Sequence, residues 1–345
     1  MNININHMPV YTFGWLKMNY AEVKDFNTLG KSNKKIIPCD NLVSETDMDL
    51  SDIESGAGKE IELLKKESGS TPVSYRLSEG CTPKDVFKVE INPVKEGSFD
   101  EFDFVVEKGA CLTVLMDIKD GDDLGAAGIL TRINLLDEAK VNLIQVIRPG
   151  KNARIINDIG VSLGERACLN LSQLFLEGKE SYQGFKSKLS GKKSEINVNI
   201  GYRVNSGELL DMNYIADQYG TKTVSEFNVL GVLKDEARKN FRGTIDFKRG
   251  CSKSEGAENE SVLLIGEGMV NKTTPLILCT EEDVSGTHGA SIGCLDENVM
   301  FYMKSRGLSE EGIYELLSRA KIRAIINTIP DEETRKRLEE EYPVI

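Results

Sequence analysis

Histidine is almost absent from this chain: His7 and His288 are the only two in 345 residues. That scarcity excludes catalytic or metal sites built within the chain from several histidines. His7 lies in the N-terminal tail and is expected to be solvated, so any histidine chemistry falls on His288. Long apolar runs are missing too. Nothing approaches the ~20 residues of a membrane-spanning helix, and MNININHMPVYTFGW has no basic region followed by an apolar core, so no secretory signal is expected. The seven cysteines are odd in number and form no CxxC pair, which fits reduced thiols and a cytoplasmic setting. Positive charge is in deficit. A formal net charge of -12 argues against a nucleic-acid surface, and the clusters Lys31–Lys35 and Lys186–Lys193 read as solvated surface. A phosphate loop is lacking as well: Gly30-Lys31-Ser32 ends like one, but Asp25 stands where the loop needs glycine.

What is present is strand. In EINVNIGYRV, Ile196, Val198, Ile200, Tyr202 and Val204 alternate with Glu195, Asn197, Asn199, Gly201 and Arg203, the period of a half-buried strand. Similar runs recur from about Val86 to Cys279, separated by the Gly or Asp turn residues Gly109, Gly121, Asp137, Gly150, Gly164, Gly178, Gly191, Gly207, Gly220, Asp235 and Gly250 at intervals of roughly 12–16 residues. Hairpin signals are almost absent: Asn-Gly never occurs, and Asp-Gly only at Asp120-Gly121. Evenly spaced turns without hairpins favour a β-solenoid, each coil taking two intervals, over an antiparallel sandwich.

The flanks differ. Residues 1–38 hold the only tryptophan, Trp15, beside Phe13, Leu16 and Tyr20, and read as an apolar anchor packing on something larger. Residues 39–72 are acidic and rich in Ser and Gly, and are expected to form a flexible linker with a helix near Lys59–Lys66. The β body is expected over 73–282 and a helical domain over 283–345. There Leu295, Val299 and Tyr302 suit a helix closed by Arg306-Gly307, and Ser309 is an N-cap for a second helix with the stripe Ile313, Leu316, Leu317, Ala320. Pro330-Asp331 opens a third, charged helix. His288 falls in what reads as a Gly-rich turn at the junction. With Cys279 and Cys294 it has the spacing C-x8-H-x5-C, which is not that of a zinc finger. Acidic neighbours such as Glu281-Glu282 read as a solvated turn rather than an acid–base pair.

One stretch resembles a known family. Asp283-Val284, His288-Gly289-Ala290, Gly293, Leu295-Asp296-Glu297, Phe301-Tyr302 and Ser305-Arg306-Gly307-Leu308 follow the C-terminal signature of the SufB/SufD iron–sulfur cluster assembly proteins. Phe241-Arg242-Gly243-Thr244-Ile245 resembles that family's FRG strand, LLIGEGMVNKTTP the segment before the signature, and TFGWLKMNYAEV its Trp-containing leading segment. The resemblance implies a right-handed parallel β-helix with a small C-terminal α-helical domain. It points to the SufD-like branch, because Met269 stands where SufB-type proteins carry the sulfur-accepting cysteine, and Gly289 where they carry a glutamate after the histidine. A thioether cannot act as a thiolate. Two departures stand out: Gly286 replaces a cysteine frequent in SufD proteins, and most of the family's N-terminal helical domain is expected to be missing.

The resemblance further implies a non-catalytic scaffold subunit that pairs with a SufB-like subunit and docks a SufC-type ATPase. No cofactor would be tightly bound; a transient iron–sulfur cluster would form at the subunit interface, its sulfur drawn indirectly from a cysteine desulfurase. His288 would be this chain's contribution and a candidate iron ligand. Phe301, Tyr302, Arg306, Ile313, Leu316 and Leu317 are the candidate ATPase contacts. No nucleic-acid or membrane partner is expected. An alternative is a homodimeric SufB-like scaffold in which Cys251, Cys279 or Cys294 takes over from the lost cysteine. A carbohydrate-active solenoid enzyme would need a distinctive carboxylate pair, which the sequence does not offer.

Overall fold

Strand alternation builds the body of the protein, seen in a computed structural model that describes residues 1–343. Ile196, Val198, Ile200 and Tyr202 are fully buried, whereas Glu195, Asn197, Asn199 and Arg203 reach solvent. In chain order the strands are β1 (Ile3–Ile5), β2 (Ala21–Val23), β3 (Lys34–Ile37), β4 (Leu42–Glu45), β5 (Val73–Leu77), β6 (Phe87–Ile91), β7 (Ser98–Val106) and β8 (Cys111–Lys119). There follow β9 (Ala126–Leu135), β10 (Lys140–Arg148), β11 (Arg154–Leu163), β12 (Cys168–Phe175), β13 (Glu180–Leu189) and β14 (Glu195–Val204). The last six are β15 (Leu209–Gln218), β16 (Val224–Lys234), β17 (Arg238–Phe247), β18 (Ser254–Ile265), β19 (Val270–Cys279) and β20 (Val284–Cys294). Alternation is equally plain in β6 and β18, whereas β7, β10, β11 and β15 are buried along nearly their whole length.

Even-numbered strands from β6 form one nine-stranded sheet with β3, and odd-numbered strands from β5 form the other with β4. From β5 onward all pairing between successive coils is parallel; Lys140 lies opposite Cys168, and Cys168 opposite Glu195. This is the expected solenoid. The missing hairpin signals have a plain cause: from β5 onward each turn carries the chain from one sheet to the other, so no two consecutive strands of the solenoid pair. Turn glycines let successive coils lie close, and a Cβ on Gly191 would come within 2.0 Å of the Gly164 carbonyl carbon.

The two ends differ. The first coil is closed by β3 and β4, which pair antiparallel with β6 and β5. At the other end β19 and β20 pair only inward, with β17 and β18, so their outer edges are free among the described residues.

The acidic stretch 39–72, expected as a flexible linker, is instead fixed against the solenoid. Besides β4 it holds helix α1 (Ile61–Ser68), which buries Ile61 and Leu64. Between them the Ser55 hydroxyl and the Ala57 amide donate to the buried Asp158 carboxylate at 2.5 and 2.8 Å, and the Asn213 amide donates to the Gly56 carbonyl. The small residues that suggested a linker let the backbone lie flush; a Cβ on Gly56 would come within 2.0 Å of the Phe185 amide nitrogen.

The C-terminal helices begin later than expected. The solenoid strand β20 runs to Cys294, and α2 (Glu297–Ser305) follows, capped by Asp296. Then come α3 (Glu310–Ile326), capped by Ser309, and α4 (Glu332–Glu341), capped by Asp331. Ile313 is buried but Leu316 and Leu317 only half so, and Ala320 is exposed. The face that anchors α3 continues through Ile322, Ile325 and Ile326 onto Leu115, Ile144 and Leu174 of the even-numbered sheet. Gly201 lets Ile325 close in; a Cβ there would meet it at 3.1 Å.

Candidate functional site: the open end of the solenoid

The signature stretch around His288 is not a turn. It is strand β20, the last rung of the even-numbered sheet, paired in register with β18 so that Glu258 faces His288 and Gly256 faces Gly286. Small residues made it look like a loop; the parallel ladder of β18 makes it a strand. Cβ positions built on Gly286 would meet Phe247 and Ile277 of the opposite sheet, so Gly286 faces the interior. By strand alternation His288 faces the same way, and Gly289 faces outward beside Asn259. No coil follows, so this inward-directed ring is exposed at the mouth of the solenoid.

Beneath His288 lies a cluster of buried charges. Lys239 of β17 pairs with Glu260 of β18, both fully enclosed, and its ammonium also donates to the Thr273 hydroxyl at 2.8 Å. Thr273 in turn donates to Glu260 at 2.7 Å. Burial pulls the Lys239 ammonium down from its ordinary range, while Glu260 holds it up. Glu258, 4% exposed, reaches across the interior to the backbone of Gly243, where a Cβ would sit 2.1 Å from its carboxylate oxygen. Burial, and then the neighbouring Glu260 charge, push the Glu258 carboxyl up to about 8. The three residues of the FRG strand therefore have separate tasks. Phe241 fills the core, Gly243 makes room for Glu258, and Arg242 faces the outer side of the sheet, where it donates to both oxygens of Asp211 at 2.6 and 3.2 Å.

Sequence reasoning found His288 but missed Glu258, Glu260 and Lys239. A signal was available. Extending the phase of Val262 and Leu264 back along β18 places Glu260, Glu258 and Gly256 on the inner face.

The cysteines do not gather around the histidine. Cys279 ends β19, next to the turn that opens β20, and Cys294 ends β20, six residues from His288 along an extended strand, about 20 Å away. Both are exposed, whereas Cys251 is enclosed and its thiol is pushed up by burial. Among the described residues no group of three His, Cys, Asp or Glu side chains is placed to hold a metal ion. Met269 lies in the turn before β19, packed against the core. On the helical unit Phe301 and Tyr302 are 74% and 58% exposed, and Arg306 lies over the Tyr302 ring. No helix among the described residues is long and apolar enough to cross a membrane.

A two-sheeted parallel solenoid with C-terminal helices, open at one end on a histidine-bearing rung, defines the class. Residues 89–321 match the model of the SUF system FeS cluster assembly SufBD core domain, and the chain belongs to that family. It is similar to the iron–sulfur cluster assembly protein SufD of Bacillus subtilis, with 28% identity over 229 residues, 58% of this chain and 49% of the relative. It is also similar to SufD of Escherichia coli, with 25% identity over 179 residues, 49% of this chain and 40% of the relative. A SufBD family protein of Pyrococcus horikoshii is 26% identical over 183 residues, 53% of this chain and 37% of the relative. The chain thus spans about half or less of the length of these relatives.

Proposed function

We propose that this chain is a non-catalytic, SufD-like scaffold subunit that pairs, open end to open end, with a SufB-like subunit and supports cluster formation between them. The observation that carries the reading is the terminal rung. The free edges of β19 and β20 offer unpaired backbone donors and acceptors to another strand, the arrangement used in β-augmentation. His288 stands on that rung, exposed and directed into the mouth. With no metal-binding group complete within the described residues, the nascent cluster is cargo whose other ligands come from the partner. His288 is the candidate iron ligand from this side. The exposed Phe301, Tyr302 and Arg306 are offered to a SufC-type ATPase, with the half-buried Leu316 and Leu317 at the margin and Ile313 serving the core.

Co-expression with the ATPase and the SufB-like subunit tests this. One complex is expected on size exclusion, and separate elution of the three chains refutes the reading. His288→Ala is expected to leave folding and the complex intact while lowering cluster formation; an unfolded or unpaired variant would make the histidine structural. A second reading, a homodimer that builds the cluster alone, is supported by the exposed thiols of Cys279 and Cys294 on the same rung. Anaerobic reconstitution of the isolated chain with iron and sulfide separates the two. Stable cluster absorption that one Cys→Ala change abolishes would favour the homodimer.

A further inference from the structure

We propose that the aromatic loop at residues 10–20 is part of the pairing surface and docks on the flank of the second solenoid. The inference rests on the end-to-end pairing proposed above. The loop is firmly held from below. The Met8 amide donates to the Asn19 carbonyl at 2.9 Å, and the Thr12 amide to the Asn19 side chain at 2.7 Å. The buried Arg242 donates to the Met18 carbonyl, and Lys272 donates to the Leu16 carbonyl at 2.9 Å. Met8 and Met18 are buried.

Yet of the side chains expected to anchor it, Trp15 is 77% exposed, Phe13 75% and Tyr20 45%, with only Leu16 half-buried, and Tyr11 beside them is 62% exposed. A loop that is fixed but turns its rings to water is built for a surface it does not itself contain. Aromatic side chains bury ~150–250 Å² each, so Trp15, Phe13 and Tyr11 present about 400 Å². That matches the largest apolar patch of an ordinary monomer, ~300–600 Å², and is about half of the ~800 Å² per partner of a standard interface.

Position identifies the occupant. Lys272 belongs to β19, the last strand of the odd-numbered sheet, so the loop sits beside the edge that a second solenoid would meet. The C-terminal helices pack on the even-numbered sheet, on the opposite flank, and a protein docked on them would approach from the other side. The aromatic loop therefore extends the strand-edge contact with side-chain contact, on the partner solenoid's outer face.

Trp15 is the only tryptophan, so its emission reports this contact directly. The full chain is titrated with a SufB-like subunit whose tryptophans are replaced by phenylalanine, with pairing followed by size exclusion. The expected result is a blue shift of Trp15 emission and a fall in acrylamide quenching as the pair forms. The double change Phe13→Ala, Trp15→Ala is expected to weaken pairing at least about tenfold without moving the thermal midpoint, because both rings are exposed. A pair that forms while Trp15 emission stays unshifted overturns this inference alone. A shift produced by the ATPase in the absence of the second solenoid also overturns it. If no pair forms at all, the pairing reading fails and this inference fails with it.

Discussion

Replacing Glu258 by glutamine should make the protein more stable, and by an amount that depends on pH. Glu258 is enclosed inside the last coils, against Gly243 and beside Glu260, and its carboxyl titrates at about 8 against an ordinary 4.5. Below pH 4.5 both folded and unfolded chains hold the proton, and the residue costs nothing by this route. Between 4.5 and about 8 the unfolded chain releases a proton that the folded chain keeps, so stability falls as pH rises. Each pH unit in that window is worth about 1.4 kcal/mol, giving a cost of about 3 kcal/mol at pH 7 and about 5 kcal/mol above pH 8. Glu258→Gln keeps the shape of the protonated acid and removes the titration, so the variant should gain that amount. Urea unfolding of both proteins at pH 5, 6, 7 and 8, followed by circular dichroism, measures the gain. Hydrogen exchange of the β18 amides localises it to the terminal coils. A constant difference between the two proteins across this range would refute the reasoning, since Glu258 would then be ionised in the native state.

Two more predictions concern β17, the strand of the opposite sheet that Glu258 reaches. Gly243→Ala puts a methyl group 2.1 Å from the Glu258 carboxylate and should cost about 1–3 kcal/mol; combining it with Glu258→Ala should recover most of that loss in a double-mutant cycle. Arg242→Ala leaves Asp211 buried with the side-chain amides of Asn6 and Asn240 as its remaining donors. It should destabilise by about 3 kcal/mol in urea and speed proteolysis of the 10–20 loop, which loses its bond to the Met18 carbonyl; unchanged cleavage there would show that the loop is held by other contacts.

The cap at Ser309 and the helix start at Pro330-Asp331 could be read directly, because an N-cap side chain acts on backbone donors two or three residues along, as both Ser309 and Asp331 do. The stripe on α3 was only partly legible. Ile313 is buried as its spacing suggests, but the anchoring residues Ile322, Ile325 and Ile326 are set by the groove over Leu115, Ile144 and Leu174, which comes from strands far away in the chain. Trp15 was misplaced for a related reason. Hydrophobicity says that a ring prefers burial but not where, and here Met18 of the loop and Met8 before it take the interior positions. The linker reading failed because composition averages over the stretch, whereas 39–72 is held by a few buried side chains, Ile61 and Leu64 among them, and by backbone and hydroxyl bonds to Asp158 and Asn213.

The sequence alone determined the repeating element. Two-residue alternation and near-equal turn spacing are local properties, and they sufficed to specify a solenoid of parallel strands. The signature from Asp283 to Leu308 sufficed to point to the family. What the tertiary structure decided was which residues become neighbours across coils and which end stays open. His288 lies opposite Glu258 only because β18 and β20, thirty residues apart, stack in one parallel register, and Glu258 lies against Gly243 only because the two sheets face each other across the interior. That register depends on the length of every intervening turn. No local pattern records it, so the buried charges beneath the histidine became visible only once the coils were stacked.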